Sequence, residues 1–342
     1  MKAGGDGGPG GGGKGGAEPR PARVPERGPD DAPDCDAIVV GAGPAGLTAA
    51  LYLARYRRRV RVLHDGRSRA LGAPMAWNVP GFPEGISGAD LVARLTVQAE
   101  RYGAVIEVGR VERLSGAGNG DKFTAEIEGG RRLSARGLIL ATGVVTNEAI
   151  IEAGGHDAAV RSGALRYCPI CDGYEHRGRR IAVLGSDLHG AAEAMFLRQY
   201  TDDVTLIPKW QVALTESQRA ELAASDVRIE ERQLLRLVHR EGRIDVLLAG
   251  AQAPLVFDTL YPALGSEPRS ELLAGLGLDG DANRCLPADA FAEPLMPGVY
   301  GAGDVLAGLD QISTATGHGA AAATRLHNWL RAREGHVMAD QH

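Results

Sequence analysis

Residues 36–46 read Asp36-Ala37-Ile38-Val39-Val40-Gly41-Ala42-Gly43-Pro44-Ala45-Gly46, and Leu47-Thr48-Ala49-Ala50-Leu51-Tyr52-Leu53-Ala54-Arg55 follows without a break. A short apolar run enters G-x-G-x-x-G and leaves as a helix. Gly41 permits the tight turn, Gly43 lets a pyrophosphate approach the backbone, and Gly46 allows helix and strand to pack closely. With Pro44 and Ala45 they form a loop whose free N–H groups can hold phosphates at the helix start. A second strand, Val60-Arg61-Val62-Leu63-His64, ends at Asp65, an acid placed to accept from a ribose hydroxyl.

The pattern occurs twice. AIVVGAGPAGLTAALYLARYRRRVRVL (37–63) and IAVLGSDLHGAAEAMFLRQYTDDVTLI (181–207) align without a gap, which predicts two doubly wound α/β nucleotide-binding units in one chain. In the second copy Gly185 and Gly190 are kept, Asp187 replaces the middle glycine, and Lys209 stands where the first copy has Asp65. A carboxylate about 4 Å from a phosphate charge costs about 1 kcal/mol in water and about 4 kcal/mol at an effective dielectric near 20. Micromolar binding is worth only about 8 kcal/mol. The second loop is therefore expected to hold a dinucleotide poorly in the usual pose, although Lys209 could meet a phosphate.

The 342 residues allow two domains with real cores, and 44% hydrophobic with 24% charged residues is a globular composition. A net charge of −5 gives no reason to expect nucleic acid or an anionic membrane as partner. No apolar run reaches the length of a membrane span, and the N-terminus lacks a hydrophobic signal core. Four cysteines, two of them in a C-x-x-C, fit a reducing compartment, so a cytoplasmic location is expected. Residues 1–33 are dominated by Gly and Pro and read as a disordered tail.

Arg166-Tyr167-Cys168-Pro169-Ile170-Cys171-Asp172-Gly173-Tyr174-Glu175 lies between the two repeats. Two cysteines at this spacing can close and reopen a small disulfide ring, and Asp172 can carry the proton that the exchange requires. The same spacing is half of a zinc site, but Cys35 and Cys285 stand far away in sequence, so redox chemistry is preferred and no metal is expected. Trp77 to Gly88 is rich in Pro and Gly and reads as a fixed loop. A helix is expected from about Ala89 to Tyr102, then a strand meander over Ala104–Arg113 and Phe123–Leu133, closed by the strand that ends in Ala141-Thr142-Gly143. Pro297 to Val305 reads as a strand ending in an acid, Asp304 after Gly303, which can accept from a sugar or polyol. The last helix begins after Gln311 and Ile312, and its Gly317, Gly319, Ala320 and Ala321 would allow close approach to a ring system or tight helix packing. His318 could act as a base there or be structural.

Assembled, VVGAGPAGLTAA, NVPGFPEGISG, LILATG, CPICDG and GVYGAGDV resemble, in this order, the bacterial thioredoxin reductase family of flavoproteins, from about Asp34 to about Leu330. The resemblance implies FAD on a discontinuous domain (34–143 plus 266–335) and an inserted NAD(P)-binding-like domain (144–265) carrying the C-x-x-C. It also implies a homodimer, rotation between domains, and a thioredoxin-like protein or small disulfide as partner. By position, Cys171 would exchange electrons with the flavin, Cys168 would attack the substrate disulfide, and Asp172 would give and take the proton. Gly41, Gly43, Gly46, Asp304 and Gln311 would hold FAD, with Asn78 near its ring. The departures are Asp187, a missing His-Arg-Arg cluster where Leu206 to Val212 stand, Asp310 before Gln311 in place of Arg, and Leu71 to Met75 in place of a Gly-Gln loop. They leave NAD(P)H use open. Cys-x-x-Cys-x-Gly-x-Glu also resembles dithiol oxidases that pass electrons through FAD to oxygen. The sequence thus fits a disulfide oxidoreductase, an oxygen-dependent dithiol oxidase, or a flavin-bearing redox sensor or scaffold.

Overall fold

The computed structural model describes residues 32–116, 122–278 and 284–338; of the expected tail, all but the last two residues lie outside them. The quoted stretch forms strand β1 (Cys35–Val40) and helix α1 (Pro44–Arg55), followed by β2 (Val60–His64). Helix α2 (Gly88–Arg101) starts at Ser87, whose hydroxyl accepts from Asp90 N, and leads into β3 (Val105–Val108). β4 (Val111–Gly116), β5 (Phe123–Ile127) and β6 (Arg131–Leu140) follow.

β3, β2, β1 and β6 lie side by side in parallel, while β4, β5 and the first half of β6 form an antiparallel meander. The expected segment 104–113 is thus two strands of different sheet environments. The chain turns at Gly109, where a Cβ would come 2.9 Å from Ile127. In β1, Ile38 and Val40 enter one core and Ala37 and Val39 the other, as expected of a parallel strand covered on both faces.

β7 (Val144–Thr146) leads into the inserted unit, with helices α3 (His156–Ser162) and α4 (Pro169–Asp172), then β8 (Ile181–Leu184), α5 (Leu188–Leu197) and β9 (Val204–Ile207). Helix α6 (Glu216–Ala224) carries a Thr215–Gln218 capping box and is followed by β10 (Arg228–Ile229). An antiparallel layer of β11 (Leu234–Arg240), β12 (Arg243–Leu248) and β13 (Leu255–Phe257) precedes β14 (Thr259–Pro262). β10, β9, β8 and β14 form a parallel sheet in that order. β8 splits its side chains between two cores as β1 does. The chain is therefore α/β, with two Rossmann-like units, the second inserted into the first.

β15 (Ser266–Pro268) returns antiparallel to β7, β16 (Val299–Gly301) adds in parallel to β6, and α7 (Ile312–Arg333) closes the fold. The strand expected over 297–305 is only three residues long, and Asp304 sits in the turn beyond it. On α7, a Cβ at Gly319 would lie 2.2 Å from the carbonyl oxygen of Ala45, so this glycine lets α7 press onto α1, the tight packing anticipated above. His318 stacks on Phe291 with ring centroids 4.5 Å apart and serves packing. Among the described residues, no helix is long and apolar enough to cross a membrane.

Candidate active site

Gly41 adopts φ +112, and a Cβ there would reach within 2.1 Å of the Ala141 carbonyl oxygen; one at Gly46 would come within 1.9 Å of the Gly41 carbonyl. These two contacts seat the start of α1 against the end of β6. Gly43, the N-cap of α1, offers no side-chain cap, so the first N–H groups of the helix face outward without a side-chain acceptor. They open into a cleft of about 970 Å³, at the upper end of the roughly 300–1,000 Å³ usual for ligand sites.

Every predicted cofactor-binding residue lines this cleft except Gly46, which packs beneath Gly41: Gly41, Gly43, Pro44, Ala45, Asp65, Asn78, Ala141, Thr142, Gly143, Gly303, Asp304, Gln311 and Ile312. Burial raises the Asp304 carboxyl to about 6, against the opposing pull of Arg69, whose Nη1 lies 3.5 Å away. Arg269 Nη1 lies 3.4 Å from Asp65. An uncapped helix start, a bare Gly43 and acids at two strand ends suit a dinucleotide with two ribityl or ribose groups.

The same cleft is lined by Cys168, Cys171 and Asp172. Cys168 and Cys171 are joined by a disulfide. Cys168 is the N-cap of α4, and Pro169 at the first helical position fixes the start of that turn. Cys171 N donates to Cys168 Sγ at 3.1 Å, a contact that would favour the thiolate once the bond opens. From the other unit, Asn78 Nδ2 donates to Gln311 Oε1 at 2.9 Å, which turns the Gln311 amide nitrogen toward the sulfurs. Gln311 Nε2 then lies 3.4 Å from Cys168 Sγ and 3.6 Å from Cys171 Sγ. Sequence reasoning assigned Gln311 to the cofactor; its side chain meets the disulfide.

Asp172 Oδ1 accepts from Tyr261 Oη at 2.9 Å, and Oδ2 pairs with Arg166 Nε at 3.0 Å. Burial pushes this carboxyl up to about 6, with Tyr261 and Arg166 pulling it down and Glu175 pushing it up. Arg166 belongs to the stretch quoted above and Tyr261 to β14; neither stood among the predicted site residues.

Gly185, Asp187, Gly190 and Lys209 lie outside the cleft lining. Here the helix start is closed by the chain itself. Asp187 Oδ1 accepts from His189 N at 3.1 Å and from Gly190 N at 3.2 Å, taking the donors that a phosphate would use. Ser186 is engaged as well, its hydroxyl by Trp210 N at 2.9 Å and its carbonyl by Ala213 N at 2.7 Å. Lys209 Nζ lies over the Trp210 ring, 5.5 Å from its centroid. These residues do not fit a pyridine nucleotide in the usual pose. Among the described residues no group of three or more His, Cys, Asp or Glu side chains could hold a metal ion.

Comparison with known proteins agrees with this geometry. A family model described as pyridine nucleotide-disulphide oxidoreductase matches residues 35–319. The chain belongs to the pyridine nucleotide-disulphide oxidoreductase family. The thioredoxin reductase of Streptomyces coelicolor is 31% identical over 86% of this chain and 94% of its own. The bifunctional thioredoxin reductase/thioredoxin of Mycobacterium leprae is 32% identical over 88% of this chain and 67% of its own. The solved structure of HlmI superimposes with a TM-score of 0.79 at 30% identity, covering 88% of this chain and 93% of that one. This member of the family is a thioredoxin reductase-like flavoprotein disulfide oxidoreductase, and its cofactor is FAD. The uncapped α1 loop and the acids of the cleft fit that cofactor.

Proposed function

We propose that the protein exchanges electron pairs between FAD and a dithiol or disulfide substrate through Cys168 and Cys171. Support comes chiefly from one observation, that the disulfide lines the same cleft as the uncapped start of α1. FAD supplies the two-electron acceptor or donor when bound. In the reductive direction the Cys168 thiolate attacks one sulfur of a substrate disulfide and expels the other as a thiolate, which takes a proton. Cys171 thiolate then attacks Cys168 Sγ, releasing the second substrate thiolate and restoring the Cys168–Cys171 bond. Two electrons leave the cysteine pair and two protons are taken up by the product. The oxidative direction is the reverse. Asp172, whose burial raises its carboxyl to about 6, carries a proton in either direction.

The partner is a thioredoxin-like protein or a small disulfide or dithiol, in keeping with the names of the relatives. A homodimer in the cytoplasm is the working arrangement. The domain limits are 34–143 plus 266–335 for the FAD domain and 144–265 for the inserted one. Both crossings then fall at the β7–β15 ribbon. A second reading, a dithiol oxidase that delivers electrons to oxygen, is favoured by the self-capped α5 loop.

Anaerobic titration of the FAD-loaded protein with NADPH, NADH and dithiothreitol, followed by flavin absorbance, tests both. Bleaching by dithiothreitol is expected. A flavin untouched by every reductant would reject disulfide–flavin exchange. In air-saturated buffer, oxygen uptake driven by dithiothreitol, with no bleaching by NADPH or NADH in the titration, would select the oxidase reading.

A further inference from the structure

Two members of the polar cluster around Asp172, Arg166 and Tyr261, take no part in the steps above. Leu165 bridges Leu260 in parallel, with Arg166 N donating to Leu260 O at 3.0 Å and Leu260 N to Ala164 O at 2.8 Å. The segment before the C-x-x-C therefore runs along β14 as a short extra edge. That register brings Arg166 and Tyr261 to Asp172. Tyr261 is fully buried, at 0% exposure, and a phenol there without a partner would cost stability. Asp172 accepts from it. Arg166 is fixed in turn by Nη1 donating to Val160 O at 2.8 Å.

The other charged or titratable groups around the cluster are Glu175, which repels the ionised Asp172, and His176. His176 stands edge-on to the Tyr261 ring at 6.0 Å and holds Thr259 through Nδ1 at 2.9 Å. Burial and the nearby Arg166 keep His176 neutral, at about 4. One oxygen of Asp172 thus accepts from Tyr261 and the other lies beside the Arg166 charge, and the carboxyl is held at the cleft beside Cys171.

We propose that Tyr261 and Arg166 are positioning residues for thiol–disulfide exchange, holding Asp172 at the cysteine pair and tuning its proton affinity. This rests on the reading of Asp172 as the proton carrier. A donor to the ionised carboxylate favours the charged form, so removing it raises the carboxyl's affinity for its proton.

The test uses the full-length, FAD-loaded protein mixed anaerobically with dithiothreitol at constant thiolate concentration, with flavin bleaching followed from pH 5 to 9. Asp172→Asn is expected to abolish the acid limb of the rate profile. Tyr261→Phe should move that limb up by about one pH unit, slowing the reaction about fivefold at pH 6 and hardly at all at pH 8. Adding Tyr261→Phe to Asp172→Asn should change nothing further. Arg166→Gln should also raise the limb, and Arg166→Lys should return part of the way; this pair carries the test if Tyr261→Phe fails to fold. Direct titration of the Asp172 carboxyl by infrared difference spectroscopy should give the same displacement. A limb abolished by Asp172→Asn but unmoved in Tyr261→Phe and Arg166→Gln would overturn the positioning role alone. A limb that survives Asp172→Asn would remove the proton-carrier reading and this proposal with it.

Discussion

Gln311 Nε2 stands 3.4 Å from Cys168 Sγ, an amide at the start of α7 aimed at a sulfur of the inserted unit. Asn78 fixes its direction by donating to Gln311 Oε1. As the disulfide opens, negative charge develops on sulfur, and a preset N–H there stabilises it without reorganisation. A hydrogen bond to a charged group is worth about 1.5–3 kcal/mol, and about 1.4 kcal/mol is tenfold in rate. Gln311→Ala should therefore slow reduction of the cysteine pair by about ten- to a hundredfold in anaerobic stopped-flow mixing with dithiothreitol. Gln311→Glu, which replaces the donor with a carboxylate, should be slower still. Equal rates in all three proteins would show that the amide merely fills space.

Cys168→Ser should keep the protein yellow and end exchange with external disulfides. Cys171→Ser should instead leave Cys168 able to form a mixed disulfide that cannot resolve, because the second sulfur is gone. Intact mass after mixing with a disulfide-bonded probe distinguishes the two: an adduct on Cys171→Ser and none on Cys168→Ser. Adducts on the opposite variant would exchange the roles of the two cysteines.

Glu334 ties the end of α7 to both Arg58, just past α1, at 2.6 Å and Arg136, on β6, at 2.5 Å. These hydrogen bonds hold its carboxyl down at about 2. A carboxyl depressed in the folded state stabilises fully above its unfolded value, near 4.3, and loses that contribution as pH falls through about 2. Allowing for solvent screening, the contribution is about 1–2 kcal/mol at neutral pH. Glu334→Gln should lower the urea midpoint at pH 7, and its difference from the parent should shrink steadily between pH 4.5 and 2. A difference independent of pH over that range would mean that packing, and not charge, holds the helix end.

Both nucleotide folds are legible in the chain because their strands, glycines and helices occupy continuous sequence. The same continuity placed nearly the whole predicted cofactor set in one cleft. What escapes is what the fold brings together from afar. Tyr261 reaches Asp172 across 89 positions, through a register that no local pattern announces. The direction of the Gln311 amide depends on Asn78, 233 positions away. The break at Gly109 escapes for another reason: β3 leaves Val105 and Val108 exposed while β4 buries Val111 and Leu114, so the spacing of apolar residues does not mark where one strand ends.

The contrast between α1 and α5 carries a last prediction. Both start from the same repeat, yet α1 begins uncapped at Gly43 while α5 begins with the Asp187 carboxylate on its own N–H groups. A nucleotide phosphate at α5 would have to displace that carboxylate and then lie beside it, a repulsion of about 1–4 kcal/mol. Asp187→Gly removes both obstacles and costs the helix only a few tenths of a kcal/mol as an N-cap. It should bind NADPH or NADH between about fivefold and a thousandfold more tightly than the parent in calorimetric titration, with little change in melting temperature. Affinity equal to the parent's would mean that the loop from Pro208 to Ala213, hydrogen-bonded to Ser186, closes this site by itself.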